Sequence, residues 1–554
     1  MEESFIKLVE YSIKDNWDLN ALTDFNGVTL QYKGLARKIE KIHILFRASG
    51  IKEGDKIAVC GRNSVNWCVA FLATVTYRAV IVPILNDFKA DNIHNIVNHS
   101  GSRILFVTDQ VWENLNEESM DGLDGVISLI DSHIIFSRSS LLNQTFNHLN
   151  ELFGKEYPFK FLPKSVSYTS ENPEDLAIIN YTSGTSGFSK GVMLPYRSLM
   201  SNICQCREKI GLKAGDDVVS ILPLGHVFGM TVDFLYGITS GVHIWFLTRS
   251  PSPRIIMETF PLIKPRVIAC VPLILEKIIK KNILPRIDNK IGRLLLRVPI
   301  LNDKIKEHAR REAMAAFGGN FYEIIIGGAP FNEDVEKFLR FIGFPYIVAY
   351  GMTECGPLIT ISRQEDYVSR SCGAAAPGMQ LKVNSPNPTV VSGELMCKGA
   401  NVMLGYYKNP EETTRVIDSD GWLHTGDMVT MDTDGNVFIK GRCKNMLLST
   451  SGQNIYPEEI ESKINSLPVV SESLVIMKDG KLVALVYPDY SMITSGDGVV
   501  NKSEREFLIN EALKEVNSLL PSFSQISRVV IWGEEFEKTA KKSIKRYLYQ
   551  NINV

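Results

Sequence analysis

The sequence predicts an α/β protein with a large N-terminal domain followed by a smaller C-terminal domain. Short apolar runs typical of buried strands alternate with helical segments between residues 30 and 350, a pattern that favours two layered α/β subdomains with largely parallel sheets. Between residues 355 and 440 glycine turns are frequent and strands are short, which indicates a small β-barrel or a distorted sheet. The remaining C-terminal stretch predicts a compact α+β domain.

Length and composition restrict the class of protein. The chain of 554 residues is too long for one ordinary domain, and its hydrophobic content of 45% and charged content of 22% are typical of a globular protein. A net charge of −2 provides no overall basic field, so we expect no nucleic acid partner. The first 18 residues lack the basic start and apolar core of a signal peptide, and no apolar run approaches the ~20 residues of a membrane helix.

The nine cysteines indicate a reducing compartment. They are scattered, odd in number and contain no Cys-x-x-Cys pair, so the pattern predicts neither a zinc site nor a redox dithiol. Reduced thiols in a cytoplasm are the simplest interpretation. We therefore expect a cytoplasmic protein without a transmembrane segment, for which a peripheral membrane contact stays open.

The predicted helices and strands before residue 110 have a structural role. Leu30–Ser49 has apolar residues at three- and four-residue steps and predicts an amphipathic helix. The run Lys56–Cys60 predicts a buried strand, Trp67–Ala79 a second helix, and Val80–Ile84 and Ile104–Val107 two further strands. None of these segments carries obvious chemistry, so we expect them to support a site that lies elsewhere.

The loop Tyr181–Gly191 is the first candidate for chemistry. Apolar runs at 176–179 and 192–194 place it between two strands. It contains three glycines, several hydroxyl side chains and Lys190, a combination that can surround a polyphosphate with backbone amides and one positive charge. It is not a Walker A loop, because Ser189 stands where that motif has its second glycine. A flexible surface hairpin is the alternative interpretation of this loop taken alone.

Three later strands end in loops of small or polar residues. The strand 218–223 runs into the loop that holds His226, and the strand 321–326 stops at Gly327-Gly328-Ala329-Pro330. The next strand, 346–349, leads into Tyr350-Gly351-Met352-Thr353-Glu354. Because α/β sheets bind ligands at the carboxyl ends of their strands, we expect these loops to contribute to one site. A lone histidine is more often structural than catalytic, so a role for His226 depends on the neighbouring loops.

The segment after residue 355 holds two more candidates. Gly421–Asp427 lies among the short strands, and Gly441–Asn445 is a polar break. We place a domain boundary at that break, which divides the chain into residues 1–441, a hinge at 442–445 and a C-terminal lid at 446–554. The lid is predicted to hold a helix at 457–465, strands at 474–477 and 482–487, and a second helix at 504–519.

In this order, the motifs resemble those of the acyl-adenylate-forming superfamily, which includes acyl-CoA ligases, peptide-synthetase adenylation domains and firefly-type luciferases. The resemblance spans most of the chain. Gly327–Pro330, Tyr350–Glu354, and Lys444-Asn445 followed by Ser451–Glu461 look most similar to long-chain fatty-acid–CoA ligases. The family chemistry would be attack of a carboxylate on ATP to give acyl-AMP and pyrophosphate, followed by displacement of AMP by the thiol of CoA. ATP, Mg²⁺ and CoA are thereby implied, as is a mobile lid.

The resemblance also implies roles for the residues that would hold ATP. Lys190 and the loop before it would hold the β- and γ-phosphates, through Thr182, Ser183, Gly184, Thr185, Ser186 and Gly187. Adenine would pack against two loops, at Gly328, Ala329, Tyr350 and Gly351. Thr353 would contact the α-phosphate, and Glu354 would bind Mg²⁺, a hard cation that prefers carboxylate and phosphate oxygens.

Four further residues receive roles from the same resemblance. Asp427 and Arg442 would bind the ribose, although a turn residue and a surface ion pair are their ordinary alternatives. Lys444 would be the hinge at which the lid turns between the two steps. His226, with Phe228, matches the loop that borders the entry of the acyl group and the thiol.

One position departs from the family pattern. Near the C-terminus the family usually has Lys-Thr-Pro-Thr-x-Lys-Ile, whose second lysine bridges the substrate carboxylate and the α-phosphate. The matching stretch here runs from Lys538 to Arg546, and an ungapped alignment puts Ser543 at that lysine position. Either the loop shifts by one residue and Lys542 supplies the charge, which we favour, or adenylation is slow or lost. A solvated basic face is the ordinary alternative for these lysines.

We therefore predict an ATP-dependent carboxylic acid–CoA ligase that acts on medium- or long-chain fatty acids. Three alternatives stay open: an enzyme that loads a separate acyl carrier protein, an amino-acid adenylating enzyme, and a catalytically weakened nucleotide- or acyl-binding homologue. The second would need an acid near the His226 loop, where Asp233 is the nearby candidate. The third follows from Ser543.

Overall fold

A computed structural model describes most of the chain. The described residues are 4–182, 190–284, 299–448, 453–467, 469–490, 509, 511, 514, 516–539, 544–550 and 552. The predicted phosphate-loop residues Ser183–Gly187, together with Lys542 and Ser543, lie outside this set, as does most of the helix predicted at 504–519.

The described strands are, in chain order, β1 (Asn20–Asp24), β2 (Thr29–Gln31), β3 (Lys56–Cys60), β4 (Val80–Ile84), β5 (Ser102–Val107), β6 (Gly125–Ser128), β7 (Ile134–Ser137), β8 (Leu176–Thr182), β9 (Lys190–Pro195), β10 (Asp217–Ser220), β11 (His243–Phe246), β12 (Val267–Cys270), β13 (Glu323–Ile326), β14 (Tyr346–Val348), β15 (Tyr350–Gly351), β16 (Leu358–Thr360), β17 (Gln380–Asn384), β18 (Gly393–Lys398), β19 (Gly405–Tyr406), β20 (Leu423–Met431), β21 (Val437–Arg442), β22 (Leu447–Leu448), β23 (Asn454–Ile455), β24 (Val470–Lys478), β25 (Lys481–Pro488) and β26 (Ile526–Ile531).

The described α-helices are α1 (Phe5–Asp15), α2 (Tyr32–Ala48), α3 (Val65–Thr76), α4 (Ala90–Ser100), α5 (Asp109–Trp112), α6 (Ser140–Asn147), α7 (Leu149–Glu156), α8 (Tyr196–Lys209), α9 (Tyr236–Thr239), α10 (Pro253–Ile263), α11 (Pro272–Ile278), α12 (Pro299–Ala316), α13 (Glu333–Phe341), α14 (Pro410–Val416) and α15 (Pro457–Ile464). Two π-helical segments occur, at Gly229–Leu235 and Ile279–Ile283. Within the described part of the chain, none of the helices combines the length and the apolar character that a membrane crossing requires.

The first subdomain is built on an eight-stranded sheet with the order β19-β9-β8-β4-β3-β5-β6-β7. Its central strands run parallel, and antiparallel pairs close both edges. The predicted strands Lys56–Cys60 and Val80–Ile84 form with the predicted bounds. Helix α3 begins where the Ser64 hydroxyl accepts a hydrogen bond from the Trp67 amide, two residues before the predicted start. The expectation of a largely parallel layered sheet is confirmed.

The second subdomain contains two smaller sheets, of order β10-β11-β1-β2 and β12-β13-β14. Strand β1 lies parallel to β11, with Leu22 opposite Ile244, so the N-terminal segment completes a sheet formed some 220 residues later in the chain. The sequence pattern does not predict this pairing, because the register of a strand depends on a partner that is distant in sequence. Strands β12, β13 and β14 are parallel neighbours, as expected for consecutive strands linked by helices.

The third sheet has four antiparallel strands in the order β17-β18-β20-β21. Of the two forms that the glycine turns predict, the described strands adopt the distorted sheet, with β17 and β21 at its edges. Register shifts occur in both the β18–β20 and the β20–β21 pairs. Gly421 and Gly435 have φ angles of +81° and +84°, which only glycine adopts without strain, and they allow the tight turns between strands.

The C-terminal region packs helix α15 against the sheet β24-β25-β26. Ile460 and Ile464 of the helix face the buried Val475 and Val486 of the sheet. The helix also lies close to β21, because a Cβ atom added at Gly441 would be 2.7 Å from a carboxylate oxygen of Glu458. Two side-chain contacts join the same surfaces, Ser392 Oγ to the Tyr456 hydroxyl at 2.6 Å and Lys440 Nζ to Glu459 at 3.2 Å. The described C-terminal region therefore rests on the four-stranded sheet.

Candidate active site

Three loops converge at the carboxyl ends of neighbouring strands. Strands β13 and β14 are parallel, so the loops that follow them start side by side. A Cβ atom added at Gly327 would be 3.1 Å from the Phe228 ring and 3.4 Å from the Ala349 carbonyl oxygen, which shows how closely the loops meet there. Beyond this contact Gly328 and Ala329 are exposed, and Gly328 has a φ of +86°. The expected meeting of these loops is confirmed, and their outer face is open to a flat ligand.

Asp427 is a buried carboxylate at the junction of the second subdomain and the four-stranded sheet. It lies on β20 directly opposite Arg442 of β21 and is 4% exposed. The Tyr350 hydroxyl donates to one of its oxygens at 2.5 Å, and Arg442 Nε contacts the other at 2.8 Å. Burial raises the pKa of Asp427 even though Arg442 and Tyr350 act to lower it. Its position therefore brings together three residues that the sequence predicted for one nucleotide site.

A local turn fixes the direction of the Asp427 carboxylate. Gly426 has a φ of +70°, a left-handed conformation that favours glycine. The Thr425 hydroxyl accepts a hydrogen bond from the Asp427 amide at 3.1 Å and donates to the Leu395 carbonyl at 2.8 Å. An Arg442 nitrogen donates to the Thr425 carbonyl at 3.3 Å. Thr425 thus supports both charged residues, a role that the sequence analysis did not identify.

Lys190 and Glu354 lie on either side of one tyrosine. The Lys190 ammonium group forms an ion pair with Glu412 and lies 5.0 Å from the centre of the Tyr406 ring. The Tyr406 hydroxyl donates to Glu354 at 2.7 Å. Lys190 pairs with Thr182 across the ends of β8 and β9, so both flanks of the predicted phosphate loop are described. The loop's cation and the predicted metal ligand therefore share one neighbourhood.

Tyr406 and Glu412 are the residues of this cluster that sequence reasoning missed. Gly405 and Tyr406 form the short edge strand β19, and Glu412 lies in the first turn of helix α14. A tyrosine pair after a glycine was the local signal, but it does not reveal a partner more than 200 residues away in sequence. The contacts of Lys190 with both residues arise from the sheet order, in which β19 lies beside β9.

The surroundings of Glu354 fit a magnesium ion that arrives with a nucleotide. Thr353 and Glu354 lie in a short turn, Thr353–Cys355, which the amide of Met403 holds by donating to the Glu354 carbonyl at 2.9 Å. Among the described residues no group of three or more histidine, cysteine or acidic side chains could hold a metal on its own. Mg²⁺ commonly binds through one or two carboxylates together with substrate phosphates. One carboxylate oriented by Tyr406 satisfies the protein's share of such a site.

The His226 loop is seated between the ends of β8 and β4. The Asn180 side-chain amide donates to the Gly225 carbonyl at 2.9 Å, and the His226 amide donates to the Pro223 carbonyl at 3.0 Å. Gly225 approaches the backbone of Leu85 so closely that a Cβ atom there would lie 3.3 Å from its nitrogen. The His226 side chain is half-buried beside this contact. Phe228 links the loop to Gly327, so His226 borders the same group of loops.

Asp233 is poorly suited to bind an ammonium group. It lies in the π-helical segment Gly229–Leu235 and is buried. Burial raises its pKa well above the usual range, despite hydrogen bonds from the Ser220 side chain and the Leu222 backbone. Among the described residues one of its carboxyl oxygens has no hydrogen-bond partner. A buried acid whose charged form is disfavoured is a poor partner for a cation.

Lys444 lies in the turn Cys443–Asn445, between the four-stranded sheet and the C-terminal region. Its side chain is exposed, and partial desolvation together with the nearby charge of Arg442 lowers its pKa. The next residue, Asn445, donates its side-chain amide to Glu458 in helix α15 at 2.6 Å. The turn is therefore in direct contact with both of the regions that the sequence predicts it to connect.

The segment that holds Lys542 and Ser543 has described flanks. Lys538 and Ile544 form an isolated antiparallel bridge, and Lys538 Nζ contacts Glu472 of β24 at 2.6 Å. Arg546 pairs with Glu461 of helix α15. Both flanks are therefore attached to the sheet and helix of the C-terminal region, whereas Lys542 and Ser543 themselves lie outside the described residues.

Known proteins are similar to this chain over most of its length. The sequence profile described as AMP-binding enzyme matches residues 9–407, and that of the AMP-binding enzyme C-terminal domain matches residues 444–551. A long-chain-fatty-acid–CoA ligase of Escherichia coli O157:H7 is 27% identical over 496 residues, which cover 85% of this chain and 82% of that protein. Long-chain-fatty-acid–CoA ligase 5 of Rattus norvegicus is 28% identical over an alignment that covers 92% of this chain and 80% of that protein.

Solved structures share the fold. ATP-bound MatB from Rhodopseudomonas palustris superposes with a TM-score of 0.77 at 21% identity, covering 99% of this chain and 98% of that one. The o-succinylbenzoate–CoA synthetase MenE of Bacillus subtilis, in complex with its acyl-adenylate, gives a TM-score of 0.75 at 18% identity, covering 100% and 99%. The profile match covers most of the chain, so the chain belongs to the AMP-binding enzyme family, the acyl-adenylate-forming superfamily, and is an AMP-forming acid–thiol ligase.

Proposed function

We propose that this enzyme activates a medium- or long-chain fatty acid with ATP and transfers the acyl group to CoA. The observation that carries the nucleotide part is the buried Asp427, which Tyr350 and Arg442 contact from two sides. The names of the curated relatives, several of them long-chain-fatty-acid–CoA ligases, support the fatty acid and CoA. Those relatives align with most of the chain, 85% and 92% of it.

In the proposed first step the fatty-acid carboxylate attacks the α-phosphate of ATP, and pyrophosphate leaves. Asp427 accepts hydrogen bonds from the ribose hydroxyls. A carboxylate has about four acceptor sites, and its two described contacts leave capacity for two more. Arg442 contacts the same ribose. Adenine lies on the exposed face of the converging loops, against Gly328, Ala329, Tyr350 and Gly351.

The phosphates lie toward Lys190 in this proposal. Lys190 and the loop from Thr182 hold the β- and γ-phosphates, and Thr353 contacts the α-phosphate. Glu354 supplies the carboxylate for Mg²⁺, which would neutralise charge on the phosphates. Phosphoryl transfer depends mainly on positioning and on neutralised charge, so this set needs no covalent intermediate on the protein.

In the proposed second step the thiol of CoA attacks the acyl-AMP carbonyl, the acyl–oxygen bond breaks, and AMP leaves. His226 borders the path by which the acyl chain and the thiol meet. Residues 442–445 act as the hinge between residues 1–441 and a lid at 446–554, and the lid turns at Lys444 between the steps. Lys542, carried by the lid, bridges the substrate carboxylate and the α-phosphate in place of the lysine that Ser543 replaces.

The test is acid-dependent exchange of labelled pyrophosphate into ATP, measured with Mg²⁺ and without CoA across fatty acids of increasing chain length. We expect exchange with medium- or long-chain acids, and a fall of about a hundredfold in the Lys542→Ala variant, the usual scale for loss of a group that stabilises transition-state charge. Exchange that survives in Lys542→Ala would remove this lysine from the mechanism. Absence of exchange with every acid, while ATP still binds, would favour the weakened binding homologue.

The acceptor is tested separately. Acyl-AMP formed in the first assay is offered either CoA or a holo acyl carrier protein, and the thioester is quantified. We expect the acyl group on CoA; transfer to the carrier alone would replace CoA in the proposal and leave the adenylation step intact.

A further inference from the structure

An aromatic cluster lies on the outer surface of the first subdomain. It consists of Trp17, Phe153, Tyr157 and Phe161, whose ring centres lie between 4.9 and 5.8 Å from at least one other member. The Arg37 guanidinium of helix α2 lies 4.9 Å from the Phe153 ring, and the Tyr157 hydroxyl donates to the buried Glu40 at 3.0 Å. These contacts fix the segment after helix α7 against helix α2.

Phe159 belongs to the same segment but points away from the cluster. Its side chain is 89% exposed, the highest value among the exposed large hydrophobic residues of the described chain. Pro158 precedes it, and its neighbours in sequence, Tyr157 and Phe161, are both held in the cluster. The aromatic contacts therefore hold in place the segment that presents Phe159. Insertion of its ring into an apolar medium would then not carry the entropic cost of ordering a flexible loop.

Three exposed lysines surround Phe159 in sequence. Lys155, Lys160 and Lys164 are all exposed, and within the described part of the chain no carboxylate pairs with any of them. Two nearby carboxylates already have cationic partners, Glu156 with Arg47 and Asp18 with Lys33, while Glu151 contacts the His148 ring. The surface defined by Lys155, Phe159, Lys160 and Lys164, here called the Phe159 surface, therefore carries positive charge that the protein does not neutralise.

We propose that the Phe159 surface docks this enzyme on an anionic lipid bilayer. An aromatic ring flanked by lysines suits the boundary between headgroups and acyl chains, because the ring enters the apolar layer while the ammonium groups stay with the phosphates. A chain of net charge −2 has little general attraction to such a surface, so this local charge directs the orientation of the protein. The proposal goes beyond the catalytic function and does not depend on which acid the enzyme uses.

The experiment is co-sedimentation of the full chain with vesicles, in the absence of substrates. One set contains phosphatidylcholine alone, and the other contains about one-third phosphatidylglycerol, which supplies the negative surface. We expect binding to the anionic vesicles that weakens with added salt. Phe159→Ala should lower the partition coefficient about tenfold, and the triple change of Lys155, Lys160 and Lys164 to Gln about a hundredfold, at roughly fivefold for each charge.

Matched control variants alter equally exposed residues on other surfaces. Leu262→Ala removes a side chain that is 73% exposed, and Lys304, Lys382 and Lys481 together changed to Gln remove three exposed charges. Because all altered residues are exposed, each variant should keep the thermal unfolding midpoint of the wild type. Loss of binding in both test variants with retention in both controls supports the proposal. Unchanged binding of either test variant, an equal loss in the controls, or no binding of the wild type overturns it.

Discussion

Asp427 illustrates how one residue can be both buried and available. Its carboxylate is 4% exposed, yet it retains acceptor sites beyond those used by Tyr350 and Arg442. A buried carboxylate with a raised pKa tolerates its charge only while these donors stay in place. This requirement also fixes the geometry of the site, because movement of either donor would leave the buried charge of Asp427 with one fewer hydrogen-bond partner.

We predict that Asp427→Asn lowers kcat/KM for ATP by about a hundredfold, since hydrogen bonds to a charged acceptor contribute about 1.5–3 kcal/mol each. The measurement compares ATP with 2′-deoxy-ATP in the pyrophosphate exchange assay. The wild type should prefer ATP, and the variant should have lost most of that preference. Tyr350→Phe, which removes one donor and keeps the carboxylate, serves as the control and should retain the preference. A variant that still discriminates between the two nucleotides would exclude Asp427 from ribose binding.

At this scale the sequence predicted residues that belong to motifs and missed those that join motifs. Asp427 and Arg442 belong to recognisable sequence motifs, and the hairpin β20–β21 brings them opposite each other. Tyr406, Glu412 and Thr425 have ordinary sequence surroundings, and their importance arises from contacts with distant strands. Such contacts depend on sheet order, which a local pattern does not encode.

Helix α2 contains an element-scale feature that is independent of the site. Glu40 faces helix α7 and its following segment, and burial raises its pKa to about 7, with smaller effects from Tyr157 and Glu156. An exposed glutamate has a pKa of about 4.3, so between these values the folded chain holds a proton that the unfolded chain releases. Stability attributable to Glu40 is therefore greatest at low pH, falls as the pH rises to about 7, and then levels off.

We predict that Glu40→Gln raises the thermal unfolding midpoint at pH 8 by several degrees and changes it little at pH 5, because the amide retains a partner for the Tyr157 hydroxyl without the buried charge. Differential scanning fluorimetry at both pH values provides the measurement. The exposed Glu174→Gln serves as a control for loss of one negative charge. An equal effect of Glu40→Gln at pH 5 and pH 8 would contradict the assigned titration.

Strands and helices with clear apolar patterns form close to their predicted positions. Strands β3 and β4 have the predicted bounds, and the helix predicted at Leu30–Ser49 forms as Tyr32–Ala48. The π-helical segment Gly229–Leu235 was not predicted, because one inserted backbone position leaves hydrophobic periodicity almost unchanged. The short strand β19 was also missed, since two residues carry no period.

At the scale of the whole molecule, the turn at Lys444 lies between two bodies that touch. Helix α15 contacts the four-stranded sheet through Glu458 and Glu459, and the turn itself is bonded to Glu458. The predicted boundary at 442–445 remains a prediction, although one family profile ends at residue 407 and the next begins at residue 444. Sequence composition changes at this point, but composition does not give the angle between the two bodies.

We predict that Lys444→Pro spares one half-reaction and slows the other by about a hundredfold. Proline is tolerated in the first positions of a short helical turn such as Cys443–Asn445, so the variant should fold and hold the lid in one orientation. Pyrophosphate exchange measures the first half-reaction, and single-turnover transfer from preformed acyl-AMP to CoA measures the second. Lys444→Ala, which leaves the backbone free, is the matched control. Equal loss of both half-reactions in Lys444→Pro would rule out the hinge assignment.

The ion pair between Lys190 and Glu412 has a consequence for which anions can enter. Glu412 acts as a resident counter-ion, so any incoming anion must exchange with it rather than neutralise a bare ammonium group. A small ion such as chloride or sulfate replaces one partner with another and gains little from the exchange. A polyphosphate makes several contacts at once, so it gains enough binding free energy to displace the carboxylate of Glu412 from Lys190. If Lys190 holds the phosphates as proposed, Glu412 returns to Lys190 when pyrophosphate leaves, and this one carboxylate would then both disfavour weak competitors and ease product release.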